Sequence, residues 1–430
     1  MSPEPGGVKP GIAVDPGVYH FIKTAGEAAT RFHLRVEPDG SGLLLANAAE
    51  AAHLSPVGAL MAHGILQGLA DEAVIAEVKA NFHGGTEAEI ADDLFRVHQL
   101  LADLSSPDDN YPITNFGGVD ETAHSRRLGA PFAADVVQGT PEQMENIVGS
   151  LWEAGIPHVT FLVQPDRDPQ ELVRAVEAAE DLGMVTGIRT VASWISEDIL
   201  RQIARAGLDH CTLVFASCDP PEHNAMVERD GDFSVLMAAI DTCNDLELCV
   251  VAQIPLTDET AGELEDMVEL LAEQGVRNFA FYAIACLDGE EKSDAAGALP
   301  ARTLPQFATV VSEAAETAGA RLIWEPPVKF DLQKSLSRHV IAGPRACGDV
   351  AVRVEADGTV FPARGPRSCA GNVLTQSWAE IWGNECFTAY REAVEKPKRC
   401  PDCPDLALCA AACPKDPTGW SDDTQDGEAS

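Results

Sequence analysis

Between residues 131 and 326 the hydrophobic positions switch repeatedly between two periods. Short apolar runs stand at 131–137 (PFAADVV), 158–163 (HVTFLV), 184–191 (MVTGIRTV), 210–217 (HCTLVFAS), 246–256 (LELCVVAQIPL) and 278–286 (NFAFYAIAC), with a last one at 321–326 (RLIWEP). Between them lie stretches of helical spacing; in one of these Leu172, Val173, Val176 and Leu182 share a side. Gly155 closes the first helix and Ser196 caps the third. Nearly continuous apolar strands alternating with amphipathic helices predict a parallel sheet with helices outside. Six such repeats over 131–330 predict an α/β fold, a partial or complete (β/α)6 barrel whose active end lies at the strand C-termini.

The flanking regions read differently. Residues 1–30 read as a loose lead-in. In 31–47 two alternating strands meet at Asp39-Gly40 and Ser41-Gly42. Leu54, Leu60, Met61, Ile65 and Leu66 then recur at helical spacing, with Ser55 as cap and Pro56 at the first helical position. Two more helices follow, around 71–82 and 86–104. Residues 31–105 are thus a small α+β domain of winged-helix character, and the Pro-, Asp- and Gly-rich 106–130 a linker. After 345 the repeat breaks. A hairpin turns at Asp357-Gly358, a helix follows, and 345–416 ends in a cysteine-rich segment. The acidic 417–430 reads as a disordered tail.

Charge narrows the partners. The chain has 430 residues, 68 Asp+Glu against 30 Lys+Arg, and a net charge of −38. Such a surface repels nucleic acid and anionic membranes. Only nine of the thirty basic residues are Lys. The acid excess, spread along the chain, resembles that of proteins from extreme halophiles. No apolar run approaches ~18 residues, and no basic region precedes an apolar one at the start, so the expected location is the cytoplasm.

Twelve cysteines stand in the chain, none before Cys211. In a cytoplasmic protein disulfides explain them poorly. Cys211, Cys218, Cys243, Cys249 and Cys286 sit in apolar segments and read as buried small hydrophobes. Cys347, Cys369, Cys386, Cys400, Cys403, Cys409 and Cys413 crowd into 67 residues. The run Cys400-x2-Cys403-x5-Cys409-x3-Cys413 places soft thiolates close enough to share one metal centre, which selects an iron–sulfur cluster or zinc. The x3 spacing of the second pair favours iron–sulfur over the paired knuckles of zinc sites.

Cys347-x10-Gly358, the VFP that follows, Gly371-Asn372, Glu380-Ile381-Trp382 and the four-cysteine run together resemble a SPASM domain, the auxiliary-cluster domain of many radical SAM enzymes. Residues 31–105 resemble a PqqD-type peptide-recognition domain. The resemblance implies cluster ligands at Cys347, Cys369 and Cys413 for one site and at Cys400, Cys403 and Cys409 for another. It departs at Ala363, which stands where a cysteine is expected, and beyond Cys413, where none follows. One 4Fe–4S cluster is therefore expected rather than two.

The barrel departs further. Radical SAM enzymes carry CxxxCxxC after the first strand; here Val137 passes through Gln138-Gly139 towards a helix near Pro141. The GGEP-type motif that holds the SAM amino group is replaced by Leu162-Val163-Gln164-Pro165. The chain resembles the pseudo radical SAM/SPASM proteins of halophilic archaea, related to heme-biosynthesis proteins. The resemblance implies no SAM binding and a role as non-catalytic partner or electron relay of an active radical SAM enzyme, in a hetero-oligomer, acting on a peptide or tetrapyrrole.

No nucleotide-binding, zincin or serine-hydrolase motif appears. Two other functions stay open: a SAM-independent enzyme using the barrel mouth, and a zinc-stapled scaffold. Glu325 is a candidate for lining that mouth. His223 and Asn224 read as part of a solvated loop, and Trp152, Trp194 and Trp324 as core.

Overall fold

The N-terminal unit starts earlier than its sequence suggests. In the computed structural model, which describes residues 13–25, 28–46, 50–105, 129–286, 296–346, 351–365, 367–388 and 420–421, the expected lead-in contains strand β1 (Gly17–Ala25). It joins β2 (Ala28–Val36), β3 (Gly42–Ala46) and β4 (Glu50–Leu54) in an antiparallel sheet of order β1-β2-β3-β4. β1 is an edge strand whose Tyr19 and Phe21 are only partly covered, so it offers little hydrophobic contrast in sequence. Helices α1 (Pro56–Gln67), α2 (Asp71–Asn81) and α3 (Glu87–Ser105) follow. Ser55 Oγ accepts from the Gly58 amide at 3.1 Å, and Gly68 ends α1 in the left-handed region at φ 82°. Phe32, Leu34 and Leu44 from the sheet form one core with Leu60, Met61, Leu94 and Leu101 from the helices.

The barrel region follows the expected alternation. Its elements are β5 (Ala133–Val137), α4 (Pro141–Glu153), β6 (His158–Leu162), α5 (Glu171–Leu182), β7 (Val185–Thr190), α6 (Glu197–Arg205) and β8 (His210–Val214). Then come α7 (Pro220–Met226), α8 (Asp232–Asp245), β9 (Cys249–Leu256), α9 (Leu264–Glu273), β10 (Asn278–Cys286), β11 (Leu299–Pro300), α10 (Leu304–Thr317), β12 (Arg321–Trp324), β13 (Val328–Lys329) and α11 (Leu336–Ala342). Strands β5 to β10 pair in parallel in sequence order, and β12 continues from β10. Ala134, Val136, Val159, Phe161, Ile188 and Leu213 face outward and share a core with Met144, Ile147, Leu172 and Val176 of the helices. Many of the intervening inward positions are polar: Asp135, Thr160, Arg189, His210, Thr212 and Gln253 are all buried, beside an apolar patch of Val251, Ala280 and Ile323.

The last segment does not form a sheet of its own. β14 (Ala351–Val354), β15 (Thr359–Pro362) and β16 (Gly371–Asn372) precede α12 (Trp378–Trp382). β14 adds in parallel to β5, pairing Ala351 with Ala133 and Val354 with Val136. The free edge of the first barrel strand is thereby occupied by the C-terminal hairpin, and the barrel stays partial. Trp420 and Ser421 correct the expectation of a disordered tail. Trp420 is buried at 1% exposure in the main core. Ser421 donates its amide to the Pro327 carbonyl, and Gly365 donates to that of Trp420, both at 2.8 Å. The rest of 417–430 lies outside the described residues. Among those described, no helix is long and apolar enough to cross a membrane.

Candidate functional site

Three regions of the barrel bear on function: its C-terminal mouth, its floor, and the cysteine-bearing hairpin beside it.

At the mouth, only Gln138, Gly139 and Thr140 connect β5 to α4. Thr140 and Gln143 form a reciprocal capping box, and Pro141 starts the helix. Gln138 is 2% exposed. Its Oε1 accepts from the Gln164 amide at 3.0 Å, and its Nε2 donates to the Asp168 carbonyl at 2.9 Å. A methyl added at Gly139 would lie 3.1 Å from Ala356 Cβ, so the connection is also hemmed in by the hairpin turn. Leu162 and Val163 are buried, and Gln164 donates Nε2 to both their carbonyls at 3.2 Å. Leu162–Pro165 itself carries no carboxylate; Asp166 and Asp168 follow in the same loop, where Asp168 Oδ1 accepts from the Gln170 amide at 2.9 Å.

Deeper in the mouth, Arg189 donates to the carbonyls of Pro344 (3.1 Å) and Ala342 (2.7 Å). Tyr282 Oη donates to the Val340 carbonyl at 3.0 Å. The end of α11 is thus fastened over the strand ends of β7 and β10. Glu325, expected at the mouth, is fully buried and accepts from Gln253 Nε2 at 2.9 Å. Burial pushes the Tyr282 phenol far up, so it stays a neutral donor. His223 is not in a solvated loop. It lies on α7, fully buried, with Nδ1 accepting from the Ala216 amide (3.1 Å) and Nε2 3.0 Å from Asp232 Oδ2. Asp232 also accepts from the Ser193 amide at 2.8 Å, so the pair braces three loops. Asn224 accepts from the Phe233 amide. Cys218 is half-buried rather than core, and its thiol donates to Glu263 Oε2 at 3.2 Å.

The floor is built from histidines. His158 and His210 open strands β6 and β8, and their Nε2 atoms are 2.6 Å apart. The His210 ring lies where any side chain on Gly187 would go. With Asp135, Thr160, Thr212 and Glu325 they line a cavity of about 30 Å³, room for roughly one water. The N-terminal sheet closes the floor from below. His33 and His20 pack with tilted rings at 5.1 Å between ring centres, and the His20 ring occupies the space beside Gly183. Arg31 pairs with Glu180 (2.8 Å) and Asp209 (3.1 Å). Arg35, almost fully buried, holds Glu37 at 2.6 Å and the carbonyls of Pro131 and Ala130. Burial lowers the His33 imidazole to about 3 and that of His158 to about 4, and holds His210 well down. The sequence hides this seam because single polar residues at alternate strand positions look like an ordinary solvated face.

Of the expected cluster ligands, Cys347, Cys400, Cys403, Cys409 and Cys413 lie outside the described residues. Cys369 is exposed, free of any disulfide, and donates to the Gly371 carbonyl at 3.4 Å. Ala363, where a cysteine was expected, is buried among Ala346, Ala351 and Ala133.

A barrel open at one edge, a hairpin docked on its first strand and a cysteine-rich end define a radical SAM-like fold with a C-terminal SPASM domain. Residues 347–404 match SPASM, an iron–sulfur cluster-binding domain. Five cysteines fall in that span, a donor set that fits such a cluster. The chain is 23% identical to the PqqA peptide cyclase of Rhizobium meliloti (strain 1021) over 301 residues, 66% of this chain and 78% of the relative. The PqqA peptide cyclase of Ruegeria pomeroyi matches at 23% over 257 residues, 56% of this chain and 65% of the relative. Among solved structures, Streptococcus suis SuiB bound to S-adenosylmethionine superposes with a TM-score of 0.56 at 13% identity, covering 94% of this chain and 99% of that one. SuiB bound to its precursor peptide SuiA gives 0.53 at 14%, with the same coverage.

Proposed function

We propose that this protein is a radical SAM-like SPASM protein without SAM chemistry of its own, which binds an iron–sulfur cluster and serves an active radical SAM enzyme in modifying a peptide. The three-residue β5–α4 connection carries this reading. A site-differentiated cluster needs three thiolates in that loop, and Gln138, Gly139 and Thr140 offer none. Gln138 instead ties the loop to Gln164, and Arg189 ties the mouth to α11. The peptide part of the proposal rests on the PqqA cyclases and on SuiB with its precursor peptide. The four-stranded sheet with three helices is compatible with a PqqD-type unit that receives such a peptide. No observation favours a tetrapyrrole over a peptide. The −38 charge supports a cytoplasm of high salt as the working medium.

Incubation with SAM and dithionite tests the central claim. The anaerobically purified protein should contain iron and acid-labile sulfide yet release no 5′-deoxyadenosine above the level of a reductant-only control. Multiple turnovers would overturn the claim. Affinity capture in molar salt should recover a CxxxCxxC-bearing radical SAM protein as its hetero-oligomeric partner.

A further inference from the structure

One guanidinium holds the end of α11 over the barrel mouth. Arg189 Nη1 donates to the Pro344 carbonyl at 3.1 Å and Nη2 to the Ala342 carbonyl at 2.7 Å. Gly343, between them, adopts φ 60° and ψ −168°, which only glycine takes readily and which lets both flanking carbonyls face the same side chain. Tyr282 Oη adds a third donor, to the Val340 carbonyl at 3.0 Å. Two oxygens on the two Nη atoms of one guanidinium stand as the oxygens of a carboxylate would. Gln253 lies beside this fork and is 1% exposed. Its Nε2 donates to Glu325 Oε2 at 2.9 Å, while its Oε1 is buried with no hydrogen-bond partner among the described residues. A side chain on Gly343 would start 3.3 Å from that Oε1 and 3.3 Å from Arg189 Nη1. The strap 342–344 thus fills the fork and leaves the neighbouring acceptor empty. Its outer side is open: Arg338 and Ala342 are exposed, whereas Val340 is buried with Tyr282, Ile284, Val191 and Met226.

We infer that Arg189, Tyr282 and Gln253 form a binding site for the C-terminal carboxylate of a peptide, closed in this structure by the chain's own Ala342–Pro344. The carboxylate takes the places of the Ala342 and Pro344 carbonyls. It brings a full charge where the strap offers two dipoles, and charge-assisted bonds of this kind are about twice as strong as neutral ones. The amide N–H next to a terminal carboxylate fills Gln253 Oε1, which the strap does not. An acidic side chain carries its carboxylate further from its own amide, so the pair of contacts selects a chain terminus. A latch alone gives no reason to leave a buried carbonyl unpaired, since that costs stability. The position fits as well: the ends of β7 and β10 belong to the face of such barrels where ligands enter. The assignment goes beyond the proposed function and depends on neither a cluster nor a partner, so its failure leaves that reading standing.

Hydrogen exchange on the full chain, read by mass spectrometry, tests this without mutation. N-acetylglycine in large excess should speed exchange of the 336–345 amides at least fivefold, because it releases the strap. Acetate, which lacks the amide, should do less, and N-acetylglycinamide, which lacks the carboxylate, should do nothing. Arg189→Gln should abolish the response. Gly343→Ala, whose added methyl crowds Arg189 and Gln253, should open the strap and tighten N-acetylglycine binding at least tenfold in calorimetry. No response of the wild-type strap to N-acetylglycine, or an equal response to N-acetylglycinamide, would overturn the assignment. A response to acetate as large as that to N-acetylglycine would overturn the part given to Gln253.

Discussion

Gly187 has only hydrogen where any side chain would enter the His210 imidazole. The floor pair therefore depends on a residue with no chemistry of its own. Gly187→Ala should destabilise the protein by about 1–3 kcal/mol, an overpacking cost, in urea denaturation. The double variant with His210→Ala should recover part of that loss, because the ring that clashes is gone. Additive losses would show that the clash is not the cause. Gln138 illustrates what could be read without a structure. Its position marked the shortness of the β5–α4 connection, and that shortness was legible because Pro141 announces a helix start so soon after the strand. Its two hydrogen bonds to the neighbouring loop were not legible, since both partners come from 26 and 30 residues away.

At the scale of elements, the N-terminal sheet and the barrel floor meet through neutral histidines. The imidazoles of His33 and His158 titrate near 6.5 when unfolded and near 3 and 4 when folded. The unfolded chain therefore takes up protons first as pH falls. Their contribution to stability is complete above pH 6.5 and is lost progressively as pH falls from 6.5, towards 4 for His158 and towards 3 for His33. For His158 alone the loss is on the order of 3 kcal/mol. Denaturation midpoints should fall steeply across that window, and His33→Leu should flatten part of the slope. An unchanged slope would mean that the seam does not set acid stability. Among elements, the six β/α repeats were readable because strands covered on both faces and helices covered on one leave strong periodic traces. β1 was missed because an edge strand leaves a weak one. The pairing of β14 with β5 was missed because register between segments more than 200 residues apart has no local sign.

For the molecule as a whole, the acidic tail was the least legible part. Trp420 sits among Asp, Ser and Gly, yet it is buried in the core with Phe387 and Ile381. Trp420→Ala should cost about 3–5 kcal/mol, seen as a lower thermal midpoint, whereas Glu385→Ala at an exposed position should cost little. The candidate ligands were legible as spacing, because cysteine runs carry their chemistry in sequence. Their grouping was not, because it depends on how segments far apart in sequence fold together, which spacing alone does not encode.

The Trp420–Ser421 anchor has a consequence for the cysteine run itself. Phe387 and Trp420 share one core, so the stretch of sequence that carries Cys400, Cys403, Cys409 and Cys413 starts and ends near fixed points. Closing that stretch around a metal centre starts from ends already brought together, and this raises the effective concentration of the thiolates for one another. Releasing the downstream pin should therefore speed cluster loss to a chelator even at temperatures where the barrel stays folded. The hydrophobic anchor of an acidic tail would then act as a retention device for iron.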